Sequence, residues 1–243
     1  MVNITINGRQ LKVEEGLTVL EAARAHNISI PTLCENEATA PYGACRLCLV
    51  EIKTAKGRER LVTSCLYNVE EGLTVQTNTD KIRKLRKNIL ELLLARCPDS
   101  EVIQKLAKEY GIDKTRFAEQ ADSKKCILCA NCSRTCEEVV GVSAISLAKR
   151  GVERELTTPF GENFSDACIG CGSCSFSCPT GAITVEEKKG KRFINFPHQT
   201  VEFKLKKCTA CGNFWAPEKQ IKYISKLSGT PITDYDKCPD CRD

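Results

Sequence analysis

The sequence predicts an α+β protein in which three cysteine-rich segments follow one another, with a helical linker between the first and the second. Three observations predict this: a turn dipeptide and a helix precede the first cysteines, a C-x2-C-x2-C-x3-C run occurs twice, and two C-x2-C pairs come last. The 243 residues include 17 cysteines. Because most of them fall in C-x2-C steps and the N-terminus shows no secretory pattern, we expect metal-bound thiolates in the cytoplasm rather than disulfides.

Charge and hydropathy argue against two classes of partner. No apolar run approaches the roughly 18 residues that a membrane helix needs, so no membrane span is expected. The formal net charge is only +5, and the basic residues are spread along the chain with some clustering at 81–87. A small excess of basic residues usually indicates only a solvated surface, so we expect no nucleic-acid partner.

Residues 1–79 predict a hairpin, a helix and a cysteine loop. Asn7-Gly8 separates alternating apolar and polar residues, which is the strongest short hairpin signal. Thr18 and Glu21 form a capping box that opens a helix. Four cysteines then follow in the spacing C-x10-C-x2-C-x16-C: Cys34, Cys45, Cys48 and Cys65. This order is typical of a β-grasp ferredoxin domain, in which four thiolates hold one [2Fe-2S] cluster; a zinc site is the alternative.

Residues 80–120 predict a helical linker. Apolar residues recur at helical spacing over Asp80–Arg96, and the basic residues between them, Arg86 included, are assigned to the solvent face. A second helix is expected over roughly Ser100–Tyr110, with Val102, Ile103 and Leu106 on its buried face. Cys97 lies at the joint and has no incomplete cysteine group to join, so it is predicted to be a buried small side chain.

Residues 121–195 contain the repeated run, which is the signature of a bacterial 2×[4Fe-4S] ferredoxin domain. In that signature the fourth cysteine of each run binds the cluster of the other run. One [4Fe-4S] cluster is therefore assigned to Cys126, Cys129, Cys132 and Cys178. The other is assigned to Cys168, Cys171, Cys174 and Cys136. Residues 152–165, between the runs, are predicted to be an inserted surface loop.

Residues 200–243 predict a small zinc-ribbon-like tail. Its two C-x2-C pairs supply a four-thiolate set: Cys208, Cys211, Cys238 and Cys241. Such closed sets usually hold one structural Zn²⁺. A rubredoxin-like iron or a further iron–sulfur cluster would use the same ligands.

The stretch GACRLCLVEI resembles the N-terminal domain of the large iron–sulfur subunit of NADH:quinone oxidoreductase. Over residues 1–190 the domain order is similar to that of the diaphorase-type electron-transfer subunits of NAD(P)-linked, in some members electron-bifurcating, hydrogenases and formate dehydrogenases. This resemblance implies a relay between a flavin-containing subunit that oxidises NAD(P)H and a hydrogenase or formate dehydrogenase catalytic subunit. In some members ferredoxin is a further partner.

The chain departs from that family at one point. Many members carry an additional [4Fe-4S] cluster, held by one histidine and three cysteines, before the paired runs. Here the only histidines are His26 and His198, and Cys97 is the only cysteine between Cys65 and Cys126. That cluster cannot be built in the same way.

No flavin, nucleotide or nucleophile signature occurs, so substrate chemistry is assigned to another subunit. Two other functions stay open at this point: a zinc-ribbon interaction or nucleic-acid-binding protein, and the iron–sulfur subunit of a quinone-linked oxidoreductase.

Overall fold

The computed structural model describes residues 1–119, 125–158 and 166–242. They group into two compact units, Met1–Cys129 and Ala130–Asp243. None of the helices in these ranges is both long and apolar enough to cross a bilayer. Each unit is described separately.

The first unit begins with a five-stranded sheet and one helix. The strands are β1 Val2–Ile6, β2 Arg9–Val13, β3 Leu49–Lys53, β4 Glu59–Thr63 and β5 Leu73–Gln76, in the order β2-β1-β5-β3-β4. Strand β1 pairs antiparallel with β2 and parallel with β5, and helix α1 is Val19–Ala25. The hairpin turns at Asn7-Gly8, and Thr18 and Glu21 form the predicted capping box. Alternate apolar residues of the sheet and the inner face of α1 form one core.

Two helices complete the first unit. Helix α2, Asp80–Arg96, has the predicted bounds, and α3, Glu101–Glu109, lies between the caps Ser100 and Tyr110. Together with the cysteine loop of the sheet domain they form a second core. Two assignments from periodicity were wrong: Val102 is exposed, whereas Arg86 is 2 % exposed instead of facing solvent.

The second unit contains two short helices, a small ribbon and a four-stranded sheet. Its α4 is Asn131–Arg134, followed by a π-helical turn at Thr135–Val139, and its α5 is Ser173–Phe176. The ribbon pairs β6, Ser146–Ala148, with β7, Glu155–Thr157. Part of the predicted surface loop 152–165 is therefore a strand, and residues 159–165 lie outside the described ranges.

The four-stranded sheet runs from the second cysteine run into the tail. It comprises β8 Thr184–Lys188, β9 Lys191–Asn195, β10 Thr200–Lys207 and β11 Phe214–Pro217, in the order β11-β10-β9-β8. Helix α6, Glu218–Ser228, follows the last strand. Pairing of β9 with β10 joins the segments predicted as two domains, 121–195 and 200–243, into one sheet.

Candidate metal centres

The four cysteines of the first segment form two close thiol pairs. The Sγ atoms of Cys48 and Cys65 lie 3.4 Å apart. Cys34 and Cys45 are also neighbours, because the backbone N–H of Cys45 donates to the Cys34 Sγ at 3.3 Å. All four are buried. Two pairs match a centre with two thiolates on each of two irons better than a single tetrahedral ion.

Each pair contains one thiol that loses its proton readily. The Cys34 thiol lowers the pKa of Cys45 to about 6, and the Cys65 thiol lowers the pKa of Cys48 to about 7. The pKa values of Cys34 and Cys65 are correspondingly raised, by the hydrogen bond to the partner thiol first and by burial second. Thiolates are the form that binds metal, so each pair offers one ligand that is easily deprotonated.

The second unit contains an apolar cavity lined by cysteines of both runs. Its lining includes Cys136 of the first run with Cys168, Cys171 and Cys174 of the second. Burial raises the pKa of Cys168 to about 11 and that of Cys174 to about 12. Because a buried thiolate is unfavourable without a nearby cation, this cavity is suited to thiolates that are neutralised by bound iron.

The two runs repeat the same backbone conformation. Leu128 and Ala130 of the first run have positive φ, +53° and +65°. The equivalent positions of the second run are Gly170 and Gly172, with φ of +75° and +84°. Left-handed backbone is unusual for residues with a side chain, so the first run tolerates strain that glycine avoids in the second.

Side-chain contacts repeat as well. Ser133 Oγ donates to the Ile145 carbonyl at 3.0 Å, and Ser175 Oγ donates to the Ile183 carbonyl at 2.9 Å. The backbone N–H of Ala144 donates to Cys136 Sγ at 3.3 Å, and that of Ala182 donates to Cys178 Sγ at 3.2 Å. Backbone N–H groups aimed at sulfur stabilise the thiolate form. The sequence duplication therefore corresponds to a structural duplication.

The other predicted four-iron set is divided between the two units. Cys126 and Cys129 belong to the first unit, where Cys129 joins the core of α2 and α3. Cys132 and Cys178 belong to the second, where both pack against the core that contains Cys136.

The tail brings its four cysteines into one compact group. The Sγ atoms of Cys208, Cys211, Cys238 and Cys241 all lie within 4.8 Å of one another. Backbone N–H groups of Cys211 and Cys238 lower the pKa of Cys208 to about 6. Hydrogen bonds to the Cys238 and Cys211 thiols raise the pKa of Cys241 to about 12. This geometry suits one tetrahedral metal ion.

Cys97 lies in the same core as Cys34, Cys45 and Cys129. It is fully buried in the core of α2 and α3, as predicted for a small apolar side chain. Sequence reasoning missed Arg86, because a charged residue between apolar positions gives no local sign of burial.

Two of the cysteine-rich segments match the models of known domain families. Residues 1–80 match the model of a 2Fe-2S iron–sulfur cluster binding domain, and residues 167–213 match that of a 4Fe-4S dicluster domain. The second match includes the second run together with Cys208 and Cys211, and it does not include the first run.

Sequence comparisons that cover about three quarters of the chain find subunits of redox complexes. The chain is 32 % identical over 206 residues to an NADPH-Fe(3+) oxidoreductase subunit alpha of Geobacter sulfurreducens, covering 75 % of this chain and 24 % of that protein. It is 34 % identical to an NADH-quinone oxidoreductase subunit of Rhizobium meliloti, covering 75 % and 24 %. It is 32 % identical to an NADP-reducing hydrogenase subunit of Solidesulfovibrio fructosivorans, covering 77 % and 36 %.

A solved structure agrees with these relatives. A chain of an NAD+-reducing [NiFe]-hydrogenase in its H2-reduced state matches with a TM-score of 0.64 and 28 % identity, covering 74 % of this chain and 85 % of that one. The chain is related to the iron–sulfur subunits of NAD(P)-linked oxidoreductases and hydrogenases. This iron–sulfur protein spans about a quarter to a third of the length of the curated relatives described above.

Proposed function

We propose that this iron–sulfur protein relays electrons between a flavin-containing subunit that oxidises NAD(P)H and a hydrogenase or formate dehydrogenase catalytic subunit, with ferredoxin as a further carrier. Its cofactors would be one [2Fe-2S] and two [4Fe-4S] clusters, with Zn²⁺ or iron in the tail. When bound, such clusters accept and release single electrons. The ligands would be the four cysteine sets assigned from the sequence.

The observation that carries the proposal is the cavity lined by Cys136 and three cysteines of the second run. A fourth ligand supplied by the other run is the arrangement of paired four-iron sites. Interlocked ligands hold two centres close together, which suits transfer between them rather than substrate chemistry.

The core of α2 and α3 suggests how the first segment would communicate with the paired runs. Cys34 and Cys45 pack in the same hydrophobic core as Cys129. This core excludes water between ligands of two proposed sites. Electrons would pass from one site to the other either directly or through a cluster that a partner subunit supplies.

Anaerobic purification tests the proposal. The protein should be brown and contain about ten irons, two plus four plus four, and about one zinc. The chain alone should not oxidise NAD(P)H, but it should be reduced by NAD(P)H when the copurifying flavin subunit is present. In the fully reduced protein, electron spin relaxation of the two-iron centre should be enhanced by the neighbouring four-iron centre. A colourless protein that contains only zinc would contradict the proposal.

A quinone-linked complex is the second candidate, because the Rhizobium meliloti relative belongs to an NADH-quinone oxidoreductase. Identification of the chains that copurify from the native host separates the two. Salt-dependent binding of DNA or RNA by the iron-free protein would instead favour the zinc-ribbon alternative.

A further inference from the structure

A buried cation lies beside the cysteine loop of the first segment. Arg86 of α2 is 2 % exposed. Its Nε donates to the Leu47 carbonyl at 2.8 Å, and its Nη2 donates to the Leu49 carbonyl at 2.7 Å. These two residues flank Cys48, so the guanidinium bridges the peptide groups on both sides of a proposed ligand.

This burial needs a compensating interaction. An arginine side chain carries a fixed positive charge, and burying a charge is costly unless it is paired. Within residues 1–119, 125–158 and 166–242, none of the ion pairs includes Arg86. Two carbonyl oxygens satisfy some of its donors, but they supply no negative charge.

The cysteine loop can supply that charge. Four thiolates outweigh the positive charge of a two-iron, two-sulfide core, so a loaded site is an anion that becomes more negative on reduction. A fixed positive charge in a poorly solvated position stabilises the more negative state more strongly.

We infer that Arg86 raises the reduction potential of the [2Fe-2S] centre through its charge and also fixes the loop around Cys48 through its two hydrogen bonds. Arg86 thus positions the loop around Cys48 and sets the reduction potential of the [2Fe-2S] centre. The inference rests on the proposed function, because it requires a cluster at Cys34, Cys45, Cys48 and Cys65.

Three variants separate charge from hydrogen bonding. Arg86→Lys keeps the charge but loses the rigid fork of donors, and Arg86→Gln loses the charge. Arg86→Met also removes the charge, fills the same space with an unbranched side chain and leaves no unpaired donor, so it serves where Arg86→Gln does not fold. Arg83→Gln removes the same charge from the exposed side of α2 and is the matched control.

The measurement is an anaerobic redox titration of the full chain, followed by the electron paramagnetic resonance signal of the two-iron centre. This signal reports only molecules that hold the cluster, so incomplete loading does not distort the potential. The neutral variants should make one-electron reduction at least tenfold less favourable, a shift of about 59 mV to lower potential. Arg86→Lys should retain most of the potential and lose part of the iron, and Arg83→Gln should change neither.

Two results would overturn the inference: an unchanged potential in the neutral variants, or an equal fall in Arg86→Lys and the neutral variants, which would assign the effect to geometry alone. Absence of the two-iron signal from the wild-type protein would instead refute the proposed function, and the two failures are therefore distinguishable.

Discussion

Pairs of substitutions can test whether the fourth cysteine of each run binds the cluster of the other run. The cavity of the second unit contains Cys136 together with Cys168, Cys171 and Cys174. We therefore expect Cys136→Ala to disable the site of the second run. Four irons should be lost, which would lower the content from about ten to about six per chain.

Double variants identify the site to which Cys136 belongs. Adding Cys168→Ala to Cys136→Ala should cost no further iron, because both residues would serve one site. Adding Cys126→Ala instead should disable both sites and leave about two irons per chain. Losses of iron are not additive when both substituted residues serve one site, and they are additive when the residues serve separate sites.

The assay is iron analysis after anaerobic gel filtration, with spin integration of the dithionite-reduced protein to count intact clusters. If each run instead held its own cluster, the two double variants would exchange their results. About two irons in Cys136→Ala/Cys168→Ala and about six in Cys136→Ala/Cys126→Ala would therefore refute the interlocked arrangement.

Four further substitutions test other parts of the structure. Cys208→Ser should remove about one metal ion per chain without lowering the three cluster signals, as measured by metal analysis; loss of a cluster signal would show that the tail is not a separate site. Gly170→Ala should lower the free energy of unfolding by about 1–2 kcal/mol because the backbone at this position is left-handed. The loss should exceed that amount because the new Cβ would lie 2.6 Å from Phe203 Cγ. Gly181→Ala has a similar φ with no atom within 4 Å, so in anaerobic urea unfolding it should cost only the backbone contribution. Cys97→Ala should leave iron content and spectra unchanged, and any loss of iron would make Cys97 a ligand.

Local signals predicted the elements that frame the sites. The hairpin at Asn7-Gly8, the capping box at Thr18 and the bounds of α2 all follow from short-range preferences, and the structure has each of them. The assembly of the tail with the second run did not follow, because pairing of β9 with β10 depends on contacts that no local pattern specifies. The burial of Arg86 has the same origin: its partners Leu47 and Leu49 are distant in sequence.

The family match and the positions of the thiols give different indications of what the cysteines of the tail bind. The family match 167–213 includes Cys208 and Cys211, as if they continued the four-iron pattern of the second run. The structure instead places these two thiols within 4.8 Å of those of Cys238 and Cys241. A four-iron site spreads its thiolates around a cube, whereas a single ion draws four thiolates together. The compact group therefore favours one ion in the tail.

The joint between α2 and α3 shows how the linker can be stable without a cluster of its own. The family resemblance of the sequence implies a cluster there held by one histidine and three cysteines, and this chain has only Cys97 between Cys65 and Cys126. Leu90 and Ile103 are fully buried beside it, and burial of each such side chain contributes about 1.5–3 kcal/mol. A bound metal also stabilises the segment that binds it. Apolar packing can thus replace the structural contribution of the missing cluster, but it cannot replace a redox centre. Because Cys34, Cys45 and Cys129 pack in this same core, the apolar side chains of the linker also surround ligands of two proposed sites.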